Sequence, residues 1–117
     1  MKPLTYKPII DAARKFLPWV TALGKQSGAY IIRSRPGGRT LYVGESHTGN
    51  LAKTLKRHFW TWGDTPERKH HTYDPRKVEV AVRITPQKSA TTAQDNLILR
   101  LKPRDNLTNP AAEPEPF

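Results

Sequence analysis

Aromatic and basic residues crowd one stretch in the middle of the sequence, and together they could bind a strand of nucleic acid. The residues that have one or the other character are Phe59, Trp60, Trp62, Arg57, His58, Arg68 and Lys69. Bases stack on aromatic faces while cations follow the phosphates, so a ring beside a basic groove forms a binding platform. Helical spacing turns Phe59 inward and favours the same for Trp62, which leaves Trp60 as the stacking candidate.

The whole chain is strongly basic. Its 117 residues contain 20 Lys and Arg against 10 Asp and Glu, which gives a formal net charge of +10. A positive field of this size on a small body attracts polyanions, and nucleic acid is the first partner to expect. The alternative is a surface whose cations only face water, because charge alone specifies no site. The residues expected to contact nucleic acid are Arg33, Arg39, Lys53, Lys56, Trp60, Arg68 and Lys69.

Cysteine and histidine usage restricts the metal and redox chemistry. The chain has no cysteine, which excludes a disulfide framework, a thiolate zinc site and a cysteine nucleophile. The pair His70-His71 lacks a third ligand at a recognised spacing, so we expect no zinc there. No apolar run approaches the roughly 18 residues of a membrane span, and the N-terminus lacks the apolar stretch of a signal peptide. We therefore expect a cytoplasmic protein.

Three strands are predicted. Residues 28–33 and 40–43 are rich in β-branched and aromatic side chains, and the segment from Ser34 to Arg39 between them has the Pro-Gly-Gly composition of a turn. The two runs therefore predict a β-hairpin. Apolar residues alternate with other residues from Val78 to Ile84, which predicts a half-buried third strand.

Three helices are predicted around these strands. Apolar residues from Pro8 to Leu17 recur at helical intervals and predict a short amphipathic helix that ends at Pro18. A second helix follows Asn50, its expected N-cap, and a third covers residues 89–101. The order helix, strand, strand, helix, strand, helix predicts an α/β or α+β layer fold, in which helices flank a three-stranded, mainly antiparallel sheet.

The chain divides into three predicted parts. Residues 1–24 form an N-terminal helical extension, residues 25–106 form the folded domain, and residues 107–117 form a disordered, Pro-rich tail. Within the domain, residues 62–75 are predicted to be a long polar loop, and loops of this length are often functional.

Short motifs in this order resemble those of a known family. Gly28-Ala29-Tyr30 followed by Tyr42-Val43-Gly44 resembles the paired motif of the GIY-YIG nuclease superfamily, whose two tyrosines lie on adjacent antiparallel strands. Leu97-Ile98 and then the segment from Lys102 to Asn106 are similar to the closing segment of that family. The resemblance covers residues 28–106, about two thirds of the chain.

The resemblance implies an endonuclease that hydrolyses phosphodiester bonds of DNA with one divalent cation, Mg²⁺ or Mn²⁺. Such hydrolysis needs a nucleophilic water, an acceptor for its proton, and positive charge at the phosphorus. In the family, a carboxylate on the last helix holds the cation, tyrosines orient or deprotonate the water, and an arginine neutralises charge. By this resemblance Tyr30 and Tyr42 have the tyrosine roles, and Asn106 supports the site by hydrogen bonding.

The helix after the hairpin departs from the family pattern. In many relatives an arginine stands four residues before a His or Tyr; His58 matches the latter, but Thr54 occupies the arginine position. Arg57 lies on the same helix face, because residues three or four apart are neighbours. We therefore expect Arg57 to supply the charge, with Lys53 and Lys56 near the substrate backbone.

The last helix departs at its metal ligand. Gln94 stands where relatives have the metal-binding glutamate, and its neutral amide is a poorer ligand for Mg²⁺ than a carboxylate. Cleavage is therefore expected to be weakened. Three explanations stay open: Asp95 replaces the ligand, the domain binds DNA without cutting it, or glutamine was substituted deliberately to trap a nuclease. The residues predicted to act in catalysis are Tyr30, Tyr42, Arg57, His58, Gln94 and Asn106.

Two further hypotheses concern the loop after the second motif and the chain as a whole. Ser46, His47 and Thr48 could contact phosphate, although a simple surface turn is the better explanation of them. Glu45 is expected to pair with Arg57. For the whole chain, the alternative to a nuclease is a catalytically inactive nucleic-acid-binding module of the same fold. A small RNA-binding protein with an accidental motif match is a third hypothesis, because RNA would also be attracted by the positive charge.

Overall fold

The protein folds as a three-stranded antiparallel sheet flanked by helices, the α+β architecture that the sequence predicts. A computed structural model describes residues 4–13, 15–60 and 73–106, with only the backbone of Trp60. The strands follow the order β2-β1-β3 across the sheet. The strands and α-helices of these segments are β1 Gly28–Ser34, β2 Thr40–Ser46, β3 Val78–Ile84, α1 Pro18–Ala22, α2 Leu51–Trp60 and α3 Ala90–Leu101.

The predicted hairpin of β1 and β2 is confirmed. Tyr30 lies opposite Gly44, and Ile32 lies opposite Tyr42. At the connecting turn, Gly37 and Gly38 have φ angles of 104° and 67°, which residues with a Cβ rarely adopt. The glycines therefore permit the tight connection that brings the two tyrosine-bearing strands together.

Two hydrophobic clusters pack on opposite faces of the sheet. Side chains of a strand alternate between faces, so Tyr30 and Ile32 pack towards α2 while Ala29 and Ile31 pack towards α3. The larger cluster includes Leu51 and Leu55 of α2, both fully buried, and the smaller one includes Leu97 of α3. The sheet is thus the middle layer, and α2 and α3 are fixed on its two sides.

The predicted helix between Pro8 and Leu17 is wrong. The chain folds back on itself there, with the amide of Leu17 donating to the carbonyl of Ile9 and the amide of Asp11 donating to that of Lys15, at 2.8 and 2.9 Å. The Asp11 carboxylate accepts hydrogen bonds from backbone amides, among them that of Lys15, at 2.9 Å. A short polar side chain that bonds its neighbouring backbone competes with a helix.

The first α-helix of the described residues begins where the sequence predicts a helix to end. Pro18 occupies the first turn of α1, where its missing N–H is not needed. The segment before it packs on the domain: Lys7 and Val80 of β3 exchange two backbone hydrogen bonds of 2.9 Å, and Ile9 is fully buried. The apolar spacing thus indicates the burial of Ile9 and the partial burial of Ile10, Phe16 and Leu17. It does not indicate the exposure of Ala13 or the absence of a helix in this segment.

Several predictions fall on residues outside the described ranges. These are most of the loop over residues 62–75, the proline-rich tail at 107–117, and the side chains of Trp60, Trp62, Arg68, Lys69, His70 and His71. Within the described ranges, no helix is both long and apolar enough to cross a membrane.

Candidate functional site

One cavity brings together four of the residues that the motifs single out. It has a volume of about 180 Å³ and opens where β2 runs into α2. The residues that line it are Tyr30, Tyr42, Glu45, Ser46, His47, Thr48, Thr54, Arg57 and Gln94. Tyr30, Tyr42, Arg57 and Gln94 come from β1, β2, α2 and α3, so the fold itself assembles them. A larger cavity of about 570 Å³, beside α1 and β3, contains none of these four.

Tyr30 is held in place by a histidine and a glycine. Its side chain is 1% exposed, and its hydroxyl oxygen lies 2.7 Å from Nε2 of His58 on α2. The ring lies over Gly44, where a Cβ would be only 2.4 Å from the hydroxyl oxygen. The glycine of the second motif is therefore required by the tyrosine of the first, because no other residue leaves room for the ring.

The glycine of the first motif has a similar role on the other side of β1. A Cβ on Gly28 would lie 2.2 Å from the carbonyl oxygen of Arg83 on β3. The close approach of β1 and β3 at this end of the sheet therefore requires a glycine.

His58 lies behind the cavity rather than in its wall. It is fully buried, and its ring centroid is 4.9 Å from that of Tyr42 and 6.1 Å from that of Tyr73. Tyr30 lines the cavity, whereas His58 does not. His58 therefore contacts the cavity wall through the Tyr30 hydroxyl.

Helix α2 presents Arg57 and Thr54 to the cavity. The guanidinium side chain of Arg57 is half-buried and lines the cavity together with Thr54, which stands at the family's arginine position. Lys53 is exposed on the same helix. Lys56 instead donates a hydrogen bond of 3.2 Å to the hydroxyl of Thr21, so it is attached to α1 and does not line the cavity.

Helix α3 presents Gln94 to the cavity but not Asp95. Gln94 is half-buried and contributes to the lining, whereas Asp95 is exposed and does not. Consecutive helix residues point about 100° apart, which explains the difference. The structure thus brings Gln94 into the lining of the cavity, and Asp95 lies beside it, with its Oδ1 accepting a hydrogen bond of 3.5 Å from Nε2 of Gln94.

Asn106 fixes the free edge of β2. Its Oδ1 accepts a hydrogen bond of 2.8 Å from the amide of Val43, and its Nδ2 donates one of 3.1 Å to the carbonyl of Val43. Val43 lies between Tyr42 and Gly44, so these two bonds fix the backbone of the second motif. The side chain acts as a substitute for a neighbouring strand at an edge that would otherwise be open.

A hydrogen-bond network of Tyr73, Asp105 and Arg104 behind His58 was not predicted from the sequence. The backbone amide of Tyr73 donates to the carbonyl of His58 at 2.9 Å, and its hydroxyl donates to Oδ2 of Asp105 at 2.5 Å. Burial, reinforced by the Asp105 carboxylate, raises the pKa of Tyr73 well above its ordinary value. Asp105 in turn pairs with Arg104 at 2.8 Å. Nothing in the spacing of Tyr73 and Asp105, 32 residues apart, indicates this contact.

Glu45 and His47 form a second unpredicted pair, and both line the cavity. Nδ1 of His47 lies 3.0 and 3.1 Å from the two carboxylate oxygens of Glu45. Because an ionised carboxylate only accepts, Nδ1 carries the hydrogen and donates it. Arg57, the partner expected for Glu45, lines the same cavity, but the hydrogen bond that orients the carboxylate comes from His47.

The remaining predicted contacts to nucleic acid lie elsewhere. Arg33 is half-buried, pairs with the carboxylate of Glu79, and lies over the ring of Tyr6 at 3.6 Å from its centroid. Arg39 is exposed at the end of the hairpin turn. Neither contributes to the lining of the cavity. Of the predicted cations that the structure describes, Arg33, Arg39, Lys53 and Lys56 therefore do not line the cavity of the two tyrosines.

Comparisons with other proteins do not assign the chain to a family. No protein-family model matches the sequence, and no curated protein matches it either. Within residues 4–13, 15–60 and 73–106, no group of three or more His, Cys, Asp or Glu side chains forms a metal site. A function for this chain is therefore indicated by the cavity and by the resemblance of its motifs.

Proposed function

We propose that this chain is a DNA-binding endonuclease of the GIY-YIG type, which hydrolyses phosphodiester bonds with one divalent cation. The observation that carries the proposal is the convergence of Tyr30, Tyr42, Arg57 and Gln94 on one cavity of about 180 Å³. At about 30 Å³ for each water, this is the volume of about six waters, which suits one phosphate and an attacking water.

The residues of the cavity match the needs of phosphodiester hydrolysis. The hydroxyls of Tyr30 and Tyr42 orient the attacking water, and one of the two, as the phenolate, accepts its proton. His58 holds the Tyr30 hydroxyl in place at 2.7 Å. Arg57 neutralises the charge that develops on the phosphate oxygens. The net charge of +10 draws the polyanion to the domain.

The donor atoms of the cavity suit a hard divalent cation. The lining includes the amide of Gln94 and the hydroxyls of Ser46, Thr48 and Thr54. Mg²⁺ takes oxygen ligands, keeps several waters, and needs only one or two protein contacts beside substrate phosphates. Gln94 would hold the cation, which would supply positive charge at the scissile phosphate. Its neutral amide provides less stabilisation than a carboxylate.

Nicking of supercoiled DNA in the presence of Mg²⁺ or Mn²⁺ tests the proposal. We expect slow cleavage by the natural chain, and cleavage at least tenfold faster after Gln94→Glu, since each ~1.4 kcal/mol of added transition-state stabilisation gives a factor of ten. Gln26→Glu, the same change at an exposed residue outside the cavity, is the matched control and should leave the rate unchanged. Absence of metal-dependent cleavage in both the natural chain and Gln94→Glu would refute the nuclease.

A catalytically inactive binding module is the second candidate. The observation that favours it is that Gln94 and Thr54, both neutral, stand in the cavity at the two positions where relatives have a charged residue. DNA binding without cleavage in any variant would support this candidate. The logarithm of the binding constant should then fall with the logarithm of the salt concentration, by about 0.9 for each duplex phosphate contacted.

A further inference from the structure

The cavity contains a carboxylate that the family motif does not account for. Among the nine residues that line it, Glu45 is the acid, and it follows Tyr42-Val43-Gly44 directly on β2. Gln94 from α3 lines the same cavity. The negative charge that the Gln94 side chain lacks is thus present on a different element of the same cavity.

His47 orients the Glu45 carboxylate by a hydrogen bond but does not use all of its acceptor positions. The imidazole donates one hydrogen, from Nδ1, to the two oxygens of Glu45 at 3.0 and 3.1 Å. A carboxylate has about four lone-pair sites, so acceptor positions remain for another partner. The Glu45 side chain is 16% exposed, whereas that of His47 is 60% exposed. The carboxylate is therefore the more enclosed of the two groups.

We propose that Glu45 and Gln94 together bind a divalent cation of the Mg²⁺ or Mn²⁺ class. Glu45 provides the anionic oxygen, Gln94 the neutral amide oxygen, and His47 is a positioning residue. This inference deepens the proposed function, because it assigns the ligands of its cation. A carboxylate that binds a metal is itself normally hydrogen-bonded by a neighbouring group, which is the relation of His47 to Glu45.

Manganese binding by the protein without DNA tests this assignment, with free Mn²⁺ measured by electron paramagnetic resonance. We expect Glu45→Gln to weaken Mn²⁺ binding at least tenfold, and His47→Ala to weaken it about tenfold, as for other residues that orient a ligand. Asp11→Asn is the matched control, since this acid lies outside the cavity and bonds backbone amides of its own turn, and should bind within twofold of the natural chain. Asp95→Asn tests the alternative ligand next to Gln94. Gln94→Glu should tighten binding.

Several results would overturn the assignment. They are unchanged Mn²⁺ binding by Glu45→Gln, loss of binding by Asp95→Asn instead, or no binding by the natural chain. The thermal unfolding of each variant is measured in parallel, and Glu45→Asp keeps the charge if Glu45→Gln unfolds. In Glu45→Asp we expect binding between that of the natural chain and that of Glu45→Gln, and binding equal to Glu45→Gln would show that charge is not what Glu45 contributes.

DNA nicking by the same proteins separates this inference from the proposed function. If the natural chain and Glu45→Gln cleave DNA at equal rates with Mn²⁺, the nuclease stands and the role of Glu45 is refuted. If Mn²⁺ binds through Glu45 but neither the natural chain nor Gln94→Glu cleaves, the cation site stands and the nuclease is refuted.

Discussion

Replacing Gly44 with alanine should disrupt both the fold and the site. The added Cβ would lie 2.4 Å from the hydroxyl oxygen of Tyr30 and 2.5 Å from its Cζ. Normal contact needs about 3.5 Å, so the ring must move by about 1 Å. The 2.7 Å hydrogen bond to His58 is then lost. Overpacking and loss of a buried hydrogen bond together cost about 3 kcal/mol, which lowers Tm by roughly 10–20 °C in a domain of this size.

Thermal unfolding compares Gly44→Ala with a second glycine substitution. Gly24→Ala is the control, because its Cβ would meet nothing closer than 3.8 Å, although its φ of 52° carries strain of about 1 kcal/mol. Tyr30→Phe in the Gly44→Ala background should recover only part of the loss, since Cζ remains at 2.5 Å. A Gly44→Ala protein as stable as Gly24→Ala would refute the packing of Tyr30 on this glycine.

Two other substitutions have defined outcomes. Asn106→Ala removes both hydrogen bonds to Val43 and should lower the free energy of unfolding in urea by about 1–3 kcal/mol; a loss under about 0.5 kcal/mol would contradict the edge contact. Hydrogen bonding from Arg76 lowers the pKa of Asp74 from 3.8 to about 2. At a pH between these two pKa values, the unfolded chain binds more protons than the folded protein does. The stabilisation that the Asp74–Arg76 pair provides is therefore present above about pH 4 and is lost as the pH falls towards 2. Asp74→Asn should remove that part of the acid dependence of Tm, and an unchanged dependence would contradict the pairing.

The strands and the longer helices could be predicted because their signals are local. Alternating apolar residues predict β3, the Pro-Gly-Gly turn predicts the hairpin, and the spacing of Leu51 and Leu55 predicts the buried face of α2. The prediction failed between Pro8 and Leu17, where apolar residues also recur at helical spacing. There the Asp11 carboxylate bonds backbone amides of a turn, and this local competition is not visible in hydrophobic periodicity.

Site residues could be predicted from the sequence where a motif places them on a particular strand or helix. They could not be predicted where their contacts depend on tertiary packing. Tyr30 and Tyr42 follow from the hairpin, and Arg57 follows from the helical face. The pair of Glu45 and His47 depends on how the chain turns after β2, and the contact of Tyr73 with Asp105 joins distant segments. Such contacts form only when the chain has folded and distant segments pack together, and a single sequence does not show which segments do so.

The hydroxyl of Tyr42 provides the most direct test of the shared site. In the Gln94→Glu background, Tyr42→Phe removes one oxygen from the cavity and leaves the buried ring in place. We predict that Mg²⁺-dependent DNA nicking by the double variant is at least ~100-fold slower than by Gln94→Glu alone, the range found for a group that transfers a proton. Tyr6→Phe, a tyrosine beside Arg33 and outside the cavity, is the matched control and should leave the rate unchanged. Equal nicking rates with and without the Tyr42 hydroxyl would contradict a catalytic site built on the two tyrosines.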